Sequence, residues 1–306
     1  MEVGRNWEFH IFKLHPMFIR VPSCFKGVTS YQTLQLKDIT LVEYKALQES
    51  KQVDVLFAEH TLAFVLEGEK RMHTPSGEWI IKPGEAVLIR RGCYGMSEIF
   101  TGNEGYKSLV FFLNDAIIKS FAEEYKSLLP APGIEQTPDF TIFPASVKLQ
   151  DVAHGVIHYF SENRQLLEHL LPLKFKELLL HILQEDTSGA FKKLLCSLHA
   201  ERKVALEQLM EQHWQKNLTL DEWAMLSGRS LSTFKRDFAL CFDTTPNQWL
   251  QQKKLQHAYF LLQHSDKTIA EIAYEIGFES VSHFIKIFRK KYNDTPNSLR
   301  TETVIH

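Results

Sequence analysis

The chain has 306 residues, more than one typical domain and comfortable for two. Hydrophobic residues make up 44% and charged residues 24%, and 35 Lys+Arg against 37 Asp+Glu give a net charge of −2, so bulk charge marks no nucleic-acid partner. Residues 201–306 hold 14 Lys+Arg against 13 Asp+Glu, so any DNA-binding charge must be local to one face.

Four scattered cysteines (Cys24, Cys93, Cys196 and Cys241) form no C-x-x-C pair. That pattern argues against a zinc module and a disulfide framework and suits a reducing cytoplasm. The first ten residues mix charged and aromatic side chains, so no signal peptide is expected. No run approaches the ~18 apolar residues a membrane span needs.

Residues 29–113 read as strands. Segments 61–66, 78–81, 86–90 and 108–113 are short, β-branched or aromatic, and punctuated by turns such as Glu67-Gly68-Glu69, Lys82-Pro83-Gly84 and Arg91-Gly92. Many short strands with close turns predict a sandwich or barrel. The pattern then changes to helix over 116–129, 147–163 and 173–185. Leu178, Leu179, Ile182 and Leu183 form an apolar stripe, either core or a dimer seam. Thr187-Ser188-Gly189 reads as a break, and only helices are expected beyond it.

An internal repeat fills the last third of the chain. Ala224 and Gly228 answer Ala273 and Gly277, and Phe234, Phe238, Phe242 and Thr245-Pro246 answer Phe284, Phe288, Tyr292 and Thr295-Pro296. The offset is 49 residues up to the glycine and 50 after it, so one turn is a residue longer. Each copy has the parts of a helix-turn-helix. Ile269, Ile272, Ala273 and Ile276 line one face of a short helix, and Ala273 is small enough for a close crossing. Gly277 accepts the left-handed conformation that ends the helix. Ser280 caps the next helix, whose buried stripe is Phe284, Phe288 and Tyr292. The first copy repeats this with Leu220, Trp223, Ala224, Gly228, Ser230, Phe234, Phe238 and Phe242.

Opposite the aromatic stripes lie Ser232, Lys235, Arg236 and Ala239 in one copy, and Ser282, Ile285, Lys286 and Arg289 in the other. These side chains suit guanine, phosphate and the thymine methyl, and Lys290 and Lys291 extend the positive stripe toward phosphates. A charged helix face taken alone is ordinarily just solvated, but two matched copies are hard to reach by accident. Asn247–His264 lacks Gly and Pro, and as one helix it would form a rigid spacer on the order of 25 Å long.

The segment 270–297 (A-E-I-A-Y-E-I-G-F-E-S-V-S-H-F-I-K-I-F-R-K-K-Y-N-D-T-P-N) closely resembles the DNA-binding signature of the AraC/XylS family of bacterial transcription regulators, and the resemblance covers about residues 201–301. It implies seven helices, with two helix-turn-helix units joined by a long helix. It also implies base-reading positions at Ser232, Lys235, Arg236, Ser282, His283, Ile285 and Lys286. The stretch 66–92 resembles the cupin-like N-terminal domain of the ExsA-like subgroup, activators of type III secretion genes. That subgroup implies a helical dimerisation segment and control through a protein partner.

The resulting expectation is an α+β chain: a cupin-like β-barrel over 1–140, a helical dimerisation segment over 141–190 and a tandem helix-turn-helix domain over 201–306. Its partners would be double-stranded DNA, RNA polymerase by family resemblance, a second copy, and a small-molecule or protein effector. The rival class is a metal-dependent cupin enzyme. His60 and His73 stand thirteen residues apart with no H-x-H, and His154 and His158 lack an evident third ligand. No metal, cofactor or catalytic residue is therefore expected.

Overall fold

The computed structural model describes residues 18–25, 32–36, 38–46, 49–74, 77–101, 105–130, 138–162, 164–199 and 205–303. The chain divides into two units, Met1–Arg202 and Lys203–His306. The expected domain limits at 1, 201 and 306 lie outside the described residues.

The first unit contains strands β1 (Phe18–Val21), β2 (Gln32–Leu36), β3 (Ile39–Ala46), β4 (Ser50–Phe57), β5 (His60–Glu67), β6 (Glu69–Thr74), β7 (Gly77–Ile81), β8 (Glu85–Ile89), β9 (Gly92–Ile99), β10 (Tyr106–Leu113) and β11 (Phe140–Pro144). They form a five-stranded sheet in the order β1-β4-β9-β6-β7 and a six-stranded sheet in the order β11-β8-β5-β10-β3-β2. Among the described residues every pairing is antiparallel except β1 with β4. The closed barrel expected from sequence is replaced by two open sheets. The turn at Lys82–Gly84 carries the chain from β7 in one sheet to β8 in the other, so these consecutive strands do not pair. The expected limit at 140/141 falls inside β11.

Alternation along the strands produces two apolar layers. Val42, Ala63, Val65 and Phe112 of the larger sheet meet Val55, Met72, Tyr94 and Met96 of the smaller one. The opposite face of the larger sheet, with Leu41, Leu62, Phe64, Leu109 and Phe111, is covered by helices. These helices are α1 (Asp115–Glu124), α2 (Val147–Gly155), α3 (Arg164–Glu185) and α4 (Ala190–His199). Leu178, Leu179, Ile182 and Leu183 are all buried in this layer, so the stripe belongs to the chain's own core and not to a dimer seam.

The second unit has seven helices among its described residues: α5 (Leu206–His213), α6 (Leu220–Leu226), α7 (Leu231–Phe242), α8 (Pro246–His264), α9 (Ile269–Glu275), α10 (Val281–Tyr292) and α11 (Pro296–Thr303). α8 is continuous over 19 residues, about 28 Å at 1.5 Å per residue.

Candidate nucleic-acid interface

Each helix-turn-helix is built from local chemistry. Thr219 and Thr268 start α6 and α9 with capping boxes, their hydroxyls accepting from the Glu222 and Glu271 N–H groups at 3.2 Å. Gly228 and Gly277 follow these helices at φ +70° and +80°, a region glycine enters without a Cβ penalty. The two turns match bond for bond. Gly228 N donates to Met225 O and Gly277 N to Tyr274 O, both at 3.0 Å. Arg229 N then donates to Ala224 O, and Phe278 N to Ala273 O, both at 2.9 Å. The extra residue of the second copy is therefore Glu279, between Phe278 and the cap. Ser230 and Ser280 cap α7 and α10 as expected, accepting from Thr233 N and His283 N. Asp243 and Asn293 end these helices in the left-handed conformation, a stop signal that periodicity alone does not carry.

Ala224 and Ala273 are buried at the helix crossings, and Phe234, Phe238, Phe284 and Phe288 are fully enclosed. α8 takes part in both cores. Near its start Trp249 meets Phe238 and Phe242 at ring-centroid distances of 6.2 and 5.3 Å. Further along, Tyr259 meets Phe288 and Tyr292 at 6.5 and 5.0 Å. The spacer is thereby packed into the cores of both helix-turn-helix copies.

The opposite faces are solvent-exposed. Ser232, Lys235, Arg236, Ser282, His283, Lys286, Arg289, Lys290 and Lys291 are all exposed. Ile285 departs from expectation. It is half-buried against the core of the second unit, because its position borders the Phe284–Phe288 stripe. Lys291 is also more restrained than a free phosphate contact. Its Nζ donates to Gln252 O of α8 at 3.2 Å and lies 5.5 Å from the Tyr292 ring, and partial burial pulls its ammonium below the ordinary lysine value. α10 carries Lys286, Arg289, Lys290 and Lys291 with no acid, whereas α7 carries Lys235, Arg236 and Asp237. Where α10 has Lys290 and Lys291, α7 has the exposed Leu240 and Cys241. Sequence reasoning missed the Arg229–Asp237 pair, Nε to Oδ2 at 3.1 Å. The arginine lies in the turn, outside any helical spacing.

His60 and His73, weighed as metal ligands, lie on different sheets, while His154 on α2 stands four residues before His158. His60 is on β5 in the larger sheet and His73 on β6 in the smaller. His73 Nε2 lies 2.8 Å from Ser97 Oγ, and its Nδ1 lies 3.7 Å from Glu78 Oε1. These are the pieces of an acyl-transfer triad. Ser97 is buried on β9, the strand between β4 and β6. Among the described residues no three His, Cys, Asp or Glu side chains gather as metal ligands. A cleft of about 440 Å³ lies in the first unit against α2, with Phe64, Leu66, Ala153 and Ile157 on its walls and Glu67 and Lys107 among its polar groups. No helix among the described residues is long and apolar enough to cross a membrane.

The ExsA N-terminal regulatory domain family matches residues 60–194, and a helix-turn-helix domain family matches residues 223–302. The chain is 27% identical over 255 residues to the HTH-type transcriptional regulator ExsA of Pseudomonas aeruginosa, a match spanning 79% of this chain and 86% of that protein. The chain belongs to the AraC/XylS family of transcription regulators. This AraC/XylS regulator is also 25% identical over 242 residues to the thermoregulatory protein LcrF of Yersinia pestis, spanning 78% and 88% of the two chains. It is 35% identical over 103 residues to the transcriptional activator RhaS of Salmonella arizonae, spanning 33% and 37% of the two chains. This AraC/XylS chain is thus a DNA-binding transcription regulator with a regulatory domain ahead of its helix-turn-helix units.

Proposed function

We propose that α7 and α10 enter successive major grooves on one side of duplex DNA, with Ser232, Lys235 and Arg236, then Ser282, His283, Ile285 and Lys286, at base edges. Arg289, Lys290 and Lys291 serve phosphates, which position the protein without reading sequence. The observation that carries this reading is α8, whose rings are shared with both aromatic cores and which therefore sets one helix relative to the other. Successive major grooves recur about every 34 Å, and a spacer that misses this pitch bends the DNA.

The N-terminal domain, over 1–140 with a helical dimerisation segment over 141–190, receives a small-molecule or protein effector. Its cleft falls within the roughly 300–1,000 Å³ range of small-molecule sites. Dimerisation uses the outward Leu166 and Leu173 on α3, which are exposed and seven residues apart, a spacing that suits a helix seam. The regulator works in the cytoplasm, recruits RNA polymerase as an activator and performs no enzymatic reaction. Selection of random duplexes by the purified protein tests the DNA reading. The expected result is one motif with two half-elements about ten base pairs apart. Recovery of unbiased sequence would contradict it.

A further inference from the structure

The two reading helices differ in how one pair of positions is filled. Arg229 and Phe278 make equivalent turn bonds, and Asp237 of α7 stands where α10 has Ile287. In the second unit Phe278 and Ile287 both pack on the apolar core. In the first, Arg229 Nε donates to Asp237 Oδ2 at 3.1 Å, and Arg229 Nη1 donates to Ser227 O at 2.9 Å. The side chain of Arg229 is 10% exposed and that of Asp237 21%. The other carboxylate oxygen, Oδ1, accepts from Arg236 Nη2 at 3.2 Å and from Arg236 Nε at 3.4 Å. Arg236 is 69% exposed. A carboxylate anchored by a nearly buried guanidinium thus holds the guanidinium of an exposed arginine on the outer face of α7.

We propose that Asp237 is a specificity-determining residue for DNA reading, acting as a positioning group that restrains Arg236; this rests on α7 being a recognition helix. An unrestrained arginine pairs with any phosphate in reach, and such contacts carry no sequence information. Arg236 must instead exchange its bonds to Asp237 for what the DNA offers. A phosphate brings negative charge toward the Asp237 carboxylate, and the repulsion cancels much of the gain. Guanine offers O6 and N7 as a bidentate acceptor pair without a formal charge, so Asp237 can stay beside the guanidinium. Discrimination then comes from a repulsive element as well as an attractive one. The acid-free α10, with Arg289, Lys290 and Lys291 in its last turn, supplies phosphate affinity that α7 does not need to duplicate.

The test measures binding of the full chain to its selected duplex and to a scrambled duplex at one salt concentration. Asp237→Asn keeps the side-chain size and an acceptor for Arg229 while removing the charge. It is expected to tighten binding to scrambled DNA and to lower the selected-to-scrambled ratio about tenfold, the scale of one base contact. Asp237→Glu restores much of the ratio. In an Arg236→Ala background, Asp237→Asn leaves the ratio unchanged. A wild-type ratio in Asp237→Asn overturns the proposal. So does an equal fall in the Arg236→Ala background, which would make Asp237 a purely structural residue. A wild-type chain with no preference for any duplex would instead refute the reading of α7 itself.

Discussion

His60 lies at the start of β5, where its Nδ1 accepts the Arg91 N–H at 3.2 Å and its Nε2 stands 3.9 Å from Asp115 Oδ1. Burial first, then the charges of Arg91 and Arg90, holds the imidazole well below the ordinary histidine value, so the folded chain carries it neutral. The unfolded chain takes up that proton near pH 6.5. Below this pH the unfolded state binds more protons, so the contribution of His60 is complete above about 6.5 and is lost as pH falls toward the depressed folded value. The urea midpoint of the full chain should therefore drop between about pH 7 and 5.5, and His60→Asn should flatten part of that drop. An unaltered pH profile in the variant would contradict the buried neutral imidazole. At this scale the exposed edges of α7 and α10 were legible, because 100° per residue places Lys235, Arg236, Lys286 and Arg289 opposite the phenylalanines. The restraint on Arg236 was not legible, since it needs the turn to bring Arg229 back to Asp237. Lys291 was equally hidden, because its partner Gln252 lies 39 residues away.

At the scale of elements, α3 is apolar on more than one face. Its inner stripe, Leu171, Phe175, Leu178, Leu179, Ile182 and Leu183, is buried against the larger sheet and its covering helices, while Leu166 and Leu173 face outward. The sequence left the 178–183 stripe open between core and seam because helical periodicity finds faces and not what covers them; the cover is the sheet, brought there by long-range packing. The short helices were more legible, because their starts and stops lie in the residues themselves: Thr and Ser caps, Gly228 and Gly277, and proline at the first turn of α8 and α11. A charge in the outward row should be tolerated by the fold and rejected by a dimer. Leu173→Asp is accordingly expected to shift the chain to monomer in sedimentation velocity while its thermal midpoint stays near that of the parent. Retention of the parent's association would remove α3 as the seam.

At the scale of the whole molecule, strand patterning revealed a two-layer β unit followed by helices, but not whether the sheets close. Closure depends on hydrogen bonding between the edge strands of the two sheets, β1 and β7 of one and β11 and β2 of the other, and no such pairing joins them among the described residues. The repeat conveyed more of the second unit, because both copies restate the same local rules and the Gly-free linker states that it is one helix. The central claim is that a single continuous α8, packed into both cores, sets the distance between two reading helices. Its most direct test is the affinity of the full chain for its selected duplex after insertion of half a helical turn (about 5 bp) or a full turn (about 10 bp) between the half-elements. Both insertions should reduce binding to the level of one half-element alone, since a rigid spacer cannot follow either. Recovery of affinity with the full-turn insertion would contradict the account, because the half-elements would then be read by units free to move apart or by separate protomers.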